Sequence, residues 1–507
     1  MVLNEVFALD QIGFPILSLL LFLPVLVIVL LYVTRNQKLV YSIALWGAMA
    51  ELILACILTI AFVPEVADIQ FVEKFGPVPW LGISYHLGVD GISILFIPVT
   101  ALLTLLVVIY AEYVSDTDAR PYLMATLALH ATMIGAFVAL DLVLFWTFFA
   151  LELVPSYFLI TRWGTGAHRK QAAREYVTFM LAGSALMLVG IIVLGVNAHA
   201  HGGEVSFDYV ELLRAPVASE LQTVVFFLMF FGFAVKAPVF PFHTWMPKVL
   251  EQGPVVGMSV FLVGLKLGTY GFIRFLIPLL PDAAHQWAWL MLSLGVAGML
   301  YGAAIAVVQT NLRRLLAFSS LSHMGVVMLG LFAFNLYGLQ GGLLQMINLG
   351  ITGAGLYFVA GFLHSRVGPP ELSAMGGLVE RVPWLSTTYL IIALASVGLP
   401  GTGGFNGEHL VMMGGLRVHW AIAVAAGVGT FLTGCYFLWY FLQGFLGSPN
   451  AGLALKLADL GFRERVIGTA LVFMIFWIGL DTIPFLRAMN GSLRAVEQRL
   501  EEIGGAL

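Results

Sequence analysis

The sequence predicts an all-α, polytopic membrane protein with about fourteen transmembrane helices. Two observations carry that expectation. Of 507 residues, 60% are hydrophobic and only 10% charged, with a mean hydropathy of +0.96. Soluble domains run near a quarter charged, and a soluble fold of this length would lack the polar groups to cover its surface. The second observation is that runs of about 20 apolar residues recur almost end to end, the length that crosses a bilayer. Every backbone group inside lipid must find its partner within the chain, so these runs are helices. The alternating pattern of a β-barrel is absent. With 24 basic against 28 acidic residues there is no basic excess, which excludes a nucleic-acid partner.

The first run, 14–34, has no basic stretch before it and reads as a retained span rather than a cleaved signal. The next two are 41–62 and 91–112. Five follow at 122–140, 142–161, 173–197, 221–247 and 255–278. Another five lie at 286–308, 313–335, 340–364, 385–414 and 419–445, and the last is 464–486. Longer connections fall at 63–86, 198–220 and 446–463, and the last 20 residues read as a short polar tail. Cys56 and Cys435 lie in apolar runs with no spacing that suggests a disulfide or metal motif. No nucleotide-binding or haem signature is present, so no redox cofactor is expected in this chain.

Fourteen spans place both termini on one side. Fifteen of the 24 basic residues then fall in loops on the opposite side and seven on the terminus side, while Lys236 and Lys266 sit within spans. That asymmetry puts both termini on the non-cytoplasmic side.

Two spans should break. KAPVFPFHTWMP at 236–247 carries three prolines, and GLPGTGGFNGE at 398–408 is rich in glycine. Paired broken helices in corresponding positions point to two inverted repeats with an ion path at each break. The chain accordingly divides into N-terminal helices 1–112, a first five-helix repeat 113–280, a second 281–447, and a C-terminal helix with tail 448–507.

Ionisable side chains inside a bilayer are costly and mark conduction paths. Glu152, before Pro155, reads as a proton-binding carboxylate or a structural hydrogen-bonding partner. Lys236 precedes the first break. Burial disfavours an ammonium's charged form and an approaching carboxylate favours it, the minimum for a proton switch; the bland alternative is a snorkelling lysine. Lys266 sits mid-span among Gly264, Gly268 and Gly271, which allow close helix approach. His323, with Ser319, Ser320 and Ser322 before it, reads as a relay or a satisfied core histidine. Glu408 is the counterpart beside the second break. Glu51, His130 and His243 are weaker candidates: a partner for a neighbouring helix or subunit, a core histidine and a backbone cap are their bland readings.

Six motifs occur in order: GVDGIS at 88–93, LELVPSYFLITRWG at 151–164, the segment at 236–247, GLKLGTYGFIRF at 264–275, RRLLAFSSLSHMG at 313–325 and the segment at 398–408. Together they resemble the antiporter-like membrane subunits of complex I and its photosynthetic relatives, the M-type in particular (D-type in cyanobacteria and chloroplasts). The resemblance covers about residues 85–445. It implies proton translocation through Lys236, Lys266, His323 and Glu408, coupled to quinone reduction elsewhere. It also implies NAD(P)H or ferredoxin, FMN, iron–sulfur clusters and quinone in other subunits. Neighbouring antiporter-like subunits and lipids would be its partners, in a bacterial inner (plasma) membrane or cyanobacterial thylakoid.

Three motifs depart from the family pattern. Its Trp–Glu pair is Phe149–Ala150 here, leaving Glu152, about 200° further round the helix, as the available carboxylate. Lys248 and Leu250 replace an acid and a histidine, and Leu349 replaces a histidine. The competing readings are a cation/proton antiporter subunit of the Mrp type, and a diverged subunit with altered pumping in a specialised complex, for example one for inorganic-carbon uptake.

Overall fold

In the computed structural model, residues 3–78, 81–111, 116–200, 205–448 and 457–504 are described; Lys456, counted above among the loop cations, lies outside them. Each of the fourteen apolar runs coincides with a helix or with consecutive helical segments separated by an interruption. Among the described residues, eleven helices are long and apolar enough to cross a membrane, or up to twelve with one bent pair. The remaining runs are the shorter helix Phe96–Tyr110 and the broken pair Pro383–Val397 and Gly403–Val418. Helices on the outside, such as Gln37–Ala61, show large apolar side chains outward, with Trp46 and Ile60 exposed. Apolar surface facing lipid costs nothing, so amphipathicity is weak there.

Both expected breaks are present. The helix Ser219–Lys236 ends at Lys236, and the chain resumes helix at Trp245–Gln252. Lys236 therefore occupies the last turn, where its charge complements the helix dipole. Trp245 Nε1 donates to the freed Val235 carbonyl at 3.1 Å. Trp245 thus supplies the backbone cap that is one of the two readings of His243. In the second break, Gly398 and Gly401 take φ of 85° and 88°, the left-handed region that favours glycine. A third interruption was not foreseen. The run 255–278 is divided by a turn at Leu265, immediately before Lys266, and by a π-helical segment Phe272–Leu276, a feature common at functional sites.

Two connecting regions differ from their expected form. The 63–86 connection builds most of a small sheet: β1 (Glu5–Phe7) pairs parallel with β2 (Ile69–Val78), which pairs antiparallel with β3 (Ile83–Val89). The polar tail is a helix, Ile483–Gly504, bent 67° from Phe462–Leu480. Met489, Leu493, Val496 and Leu500 recur at helical spacing and are buried. Its polar side chains hold distant segments: Glu497 accepts from the Leu336 amide at 2.7 Å, Arg499 donates to the Pro278 carbonyl at 2.6 Å, and Gln340 donates to Asn490. The Gly91 amide donates to Ser492 at 2.9 Å, and β1 joins the same 62–92 region through β2. β1 and the final helix therefore both pack against the 62–92 region.

Candidate functional site

Glu152 and Lys236 meet inside the helix bundle. The segment 142–163 is buried at Phe145, Phe149, Glu152, Ser156 and Leu159, an ordinary helical stripe, while Ala150 lies off it and is only partly buried. A turn at Glu152 separates Leu142–Leu151 from Leu153–Trp163. The inward face of this helix thus carries Glu152, and the vacancy at Ala150 does not leave the interior without a carboxylate. Lys236 Nζ donates to Glu152 Oε2 at 2.5 Å and to Tyr176 Oη at 3.4 Å. The ammonium also stands 5.3 Å from the Phe149 ring centroid, a distance at which an aromatic face attracts a cation. Both charged residues are 0% exposed. The other oxygen, Glu152 Oε1, has no hydrogen-bond partner. Gly264 makes room for it: a Cβ at 264 would stand 2.5 Å from Oε1.

Gly268 brings the next segment equally close, since its Cβ would stand 2.5 Å from the Ala237 amide nitrogen and the Phe233 carbonyl oxygen. The small residues expected around Lys266 therefore seat its helix against the Lys236 helix. Lys266 itself faces the other way, into a cavity of about 20 Å³ lined by Ser319, Ser320, His323, Thr352 and Ser396. That volume accommodates about one water, and the lining offers the polar partners a water needs. No carboxylate pairs with Lys266 among the described residues.

His323 borders the same cavity and also faces Glu408, with Nδ1 3.6 Å from Oε1. Glu408 accepts from Thr430 Oγ1 at 2.8 Å and from Gln345 Nε2 at 3.3 Å. Asn348 Nδ2 donates to the Gly403 carbonyl at 2.6 Å and holds the second break. Leu349, at the family's histidine position, lines the Lys266 cavity with an apolar side chain.

Of the sequence candidates, Glu152 pairs with Lys236, while Lys266, His323 and Glu408 form a second polar group. His243 joins neither; its ring packs 5.6 Å from Phe240 and 5.2 Å from Tyr301, and its Nδ1 has no partner. Glu51 and His130 pair with each other, Oε1 to Nε2, at 3.2 Å. Lys248 points outward and binds Glu175 at 2.6 Å, and Leu250 is buried. Sequence reasoning missed Tyr176, Gln345 and Thr430. All three lie within apolar runs, where uncharged polar residues give little signal.

The chain as a whole has counterparts among known proteins. The family model described as NADH:quinone oxidoreductase/Mrp antiporter, transmembrane, matches residues 139–433. Subunit M of the NADH-quinone oxidoreductase of Rickettsia typhi is 33% identical over 492 residues, covering 94% of this chain and 98% of the relative. Among solved structures, a chain of respiratory complex I from Thermus thermophilus superposes with a TM-score of 0.87 at 29% identity. It spans 96% of this chain and 99% of that one. A chain of the Mrp complex from a Dietzia species shares the fold, with a TM-score of 0.83 at 22% identity, over 96% of this chain and 100% of that one. The chain belongs to the NADH:quinone oxidoreductase/Mrp antiporter family and is an antiporter-like, multi-pass membrane subunit of the complex I type.

Proposed function

We propose that this chain translocates protons within a quinone oxidoreductase complex whose electron transfer takes place in other subunits. The observation that carries the reading is the fully buried Glu152–Lys236 contact at 2.5 Å beside a helix break. A buried ion pair is weak support for stability alone, because desolvation offsets most of its attraction. A break in the helix lets the ammonium and the carboxylate separate, and separation changes which of them holds the proton. Lys266, the cavity beside it, His323 and Glu408 would take the proton onward through water. The units 113–280 and 281–447 would thus act as two half-channels in series.

The electron donor, NAD(P)H or ferredoxin, would bind with FMN and iron–sulfur clusters on partner subunits. Neighbouring antiporter-like subunits and lipids would cover the apolar outer helices. We assign the chain to a bacterial plasma membrane or a thylakoid, with both termini on the non-cytoplasmic side, from its loop cations. The test uses the assembled complex in sealed vesicles. Proton movement that starts on adding a reduced donor and quinone, with no sodium gradient, supports the reading. Movement that depends on a sodium gradient and ignores quinone reduction would replace it with an Mrp-type antiporter.

A further inference from the structure

Glu51 and His130 lie apart from the residues used above, on the helices Gln37–Ala61 and Asp116–Val138. They are 3% and 0% exposed, and Oε1 stands 3.2 Å from Nε2. On the far side of the imidazole, Nδ1 is 3.0 Å from Thr104 Oγ1. Thr104 Oγ1 in turn lies 2.8 Å from the Thr100 carbonyl. A carbonyl can only accept, and a threonine hydroxyl has one proton. That proton therefore points to Thr100, and the hydroxyl presents lone pairs to His130. Nδ1 must carry hydrogen to bond it.

With Nδ1 protonated, a neutral imidazole has a bare lone pair on Nε2. An ionised carboxylate facing it would place lone pair against lone pair in a buried site. The contact is attractive only when one proton lies between Nε2 and Oε1, on the imidazole as an ion pair or on the carboxyl as a neutral pair. The second oxygen, Glu51 Oε2, has no partner. A cavity of about 10 Å³ adjoins the pair, lined otherwise by Thr104, Pro24, Gly47, Ala48, Ala101 and Leu127. That is space on the scale of one water.

We propose that Glu51 and His130 form a second proton-binding site, which holds one proton shared between carboxylate and imidazole. The step is the addition of H⁺ to an anionic carboxylate and a neutral Nδ1–H imidazole, so the loaded pair is uncharged overall. That charge state is what a low-dielectric interior favours. Among the described residues no other ionisable side chain lines the cavity. The remaining ionisable groups on the helices Ile16–Val33, Gln37–Ala61, Phe96–Tyr110 and Asp116–Val138 are Tyr32, Lys38, Tyr41, Cys56, Tyr110, Asp116, Asp118, Arg120 and Tyr122. Cys56, five residues on from Glu51, is exposed; the others lie at least two helical turns along the chain from Glu51 or His130, or near the end of the Phe96–Tyr110 helix.

The test is infrared and ¹⁵N-histidine solid-state NMR spectroscopy on the assembled complex in lipid at neutral pH. The expected result is a protonated carboxyl band lost in Glu51→Gln, or an imidazolium signal lost in His130→Gln. Thr104→Val, which removes the acceptor for Nδ1 while keeping the side-chain shape, should shift the His130 nitrogen signals. A neutral His130 beside an ionised Glu51 in the wild type would overturn the proposal. So would His130 nitrogen signals unchanged by Thr104→Val.

Discussion

Glu152 Oε2 lies 2.5 Å from Lys236 Nζ, although 84 residues separate them in sequence. The carboxylate comes from the helix interrupted at residue 152, and the ammonium from the last turn before the break at 237. Each side chain is seated by a backbone irregularity and is fully buried, and Tyr176 and the Phe149 ring stand beside the ammonium.

Removing one member of this pair leaves the other as a lone buried charge. Lys236→Met should destabilise the membrane domain by about 3–5 kcal/mol, the range for breaking a buried ion pair. The double variant Lys236→Met/Glu152→Gln should recover part of that loss, because the orphaned charge is gone. Thermal unfolding of the purified complex forms the double-mutant cycle. Strict additivity of the two single effects would mean that the contact carries no coupling.

Gly264→Ala should damage the same contact without touching a charge. An added Cβ meets Glu152 Oε1 at 2.5 Å, so the carboxylate must move off Lys236. Alanine otherwise favours a helix over glycine by about 1 kcal/mol, so the fold should persist. Proton translocation should fall roughly tenfold, the equivalent of about 1.4 kcal/mol. Gly427→Ala is the control, since a Cβ at 427 meets nothing within 4 Å. Equal activity of the two variants would count against the seating role of Gly264.

A polar latch outside the membrane has a clear pH sign. Asp208 accepts from His86 Nδ1 at 2.7 Å and from Lys74 Nζ at 2.8 Å. Burial alone would raise its carboxyl pKa, but the bonds and charges of His86 and Lys74 outweigh it and hold the group far below the usual range. Lys74 is shifted upward: burial works against it, and Asp208 prevails. A depressed carboxyl stabilises the fold above its unfolded pKa of about 3.9 and loses that contribution only as pH falls through the folded value. Asp208→Asn should therefore lower stability by about 2 kcal/mol at pH 7, with the difference from wild type shrinking in strong acid. Thermal unfolding across a pH series measures this; a difference that grows on acidification would contradict it.

Much of the architecture was legible because bilayer thickness sets one length for every span. The breaks were legible because proline at 238 and 241 and glycine at 398 and 401 remove what a continuous helix needs. The inward position of Glu152 was obscured by referring it to Ala150. The stripe Phe145, Phe149, Glu152, Ser156 within the segment itself gives the correct face. The final helix was hidden because charges dilute its average hydropathy, although Met489, Leu493, Val496 and Leu500 keep helical spacing. The β2–β3 pairing was hidden because β2 is buried along its first half and exposed along its second instead of alternating. The partners Tyr176, Gln345 and Thr430 follow from helix packing between distant segments, which local pattern does not encode.

The central claim is that protons pass through the Glu152–Lys236 contact, and Glu152→Gln tests it most directly. The amide matches the carboxyl in shape and cannot take up a proton. In sealed vesicles, the ratio of protons translocated to electrons passed to quinone should fall well below wild type, while Glu152→Asp keeps part of it. A wild-type ratio in Glu152→Gln, with the complex fully assembled, would contradict the account.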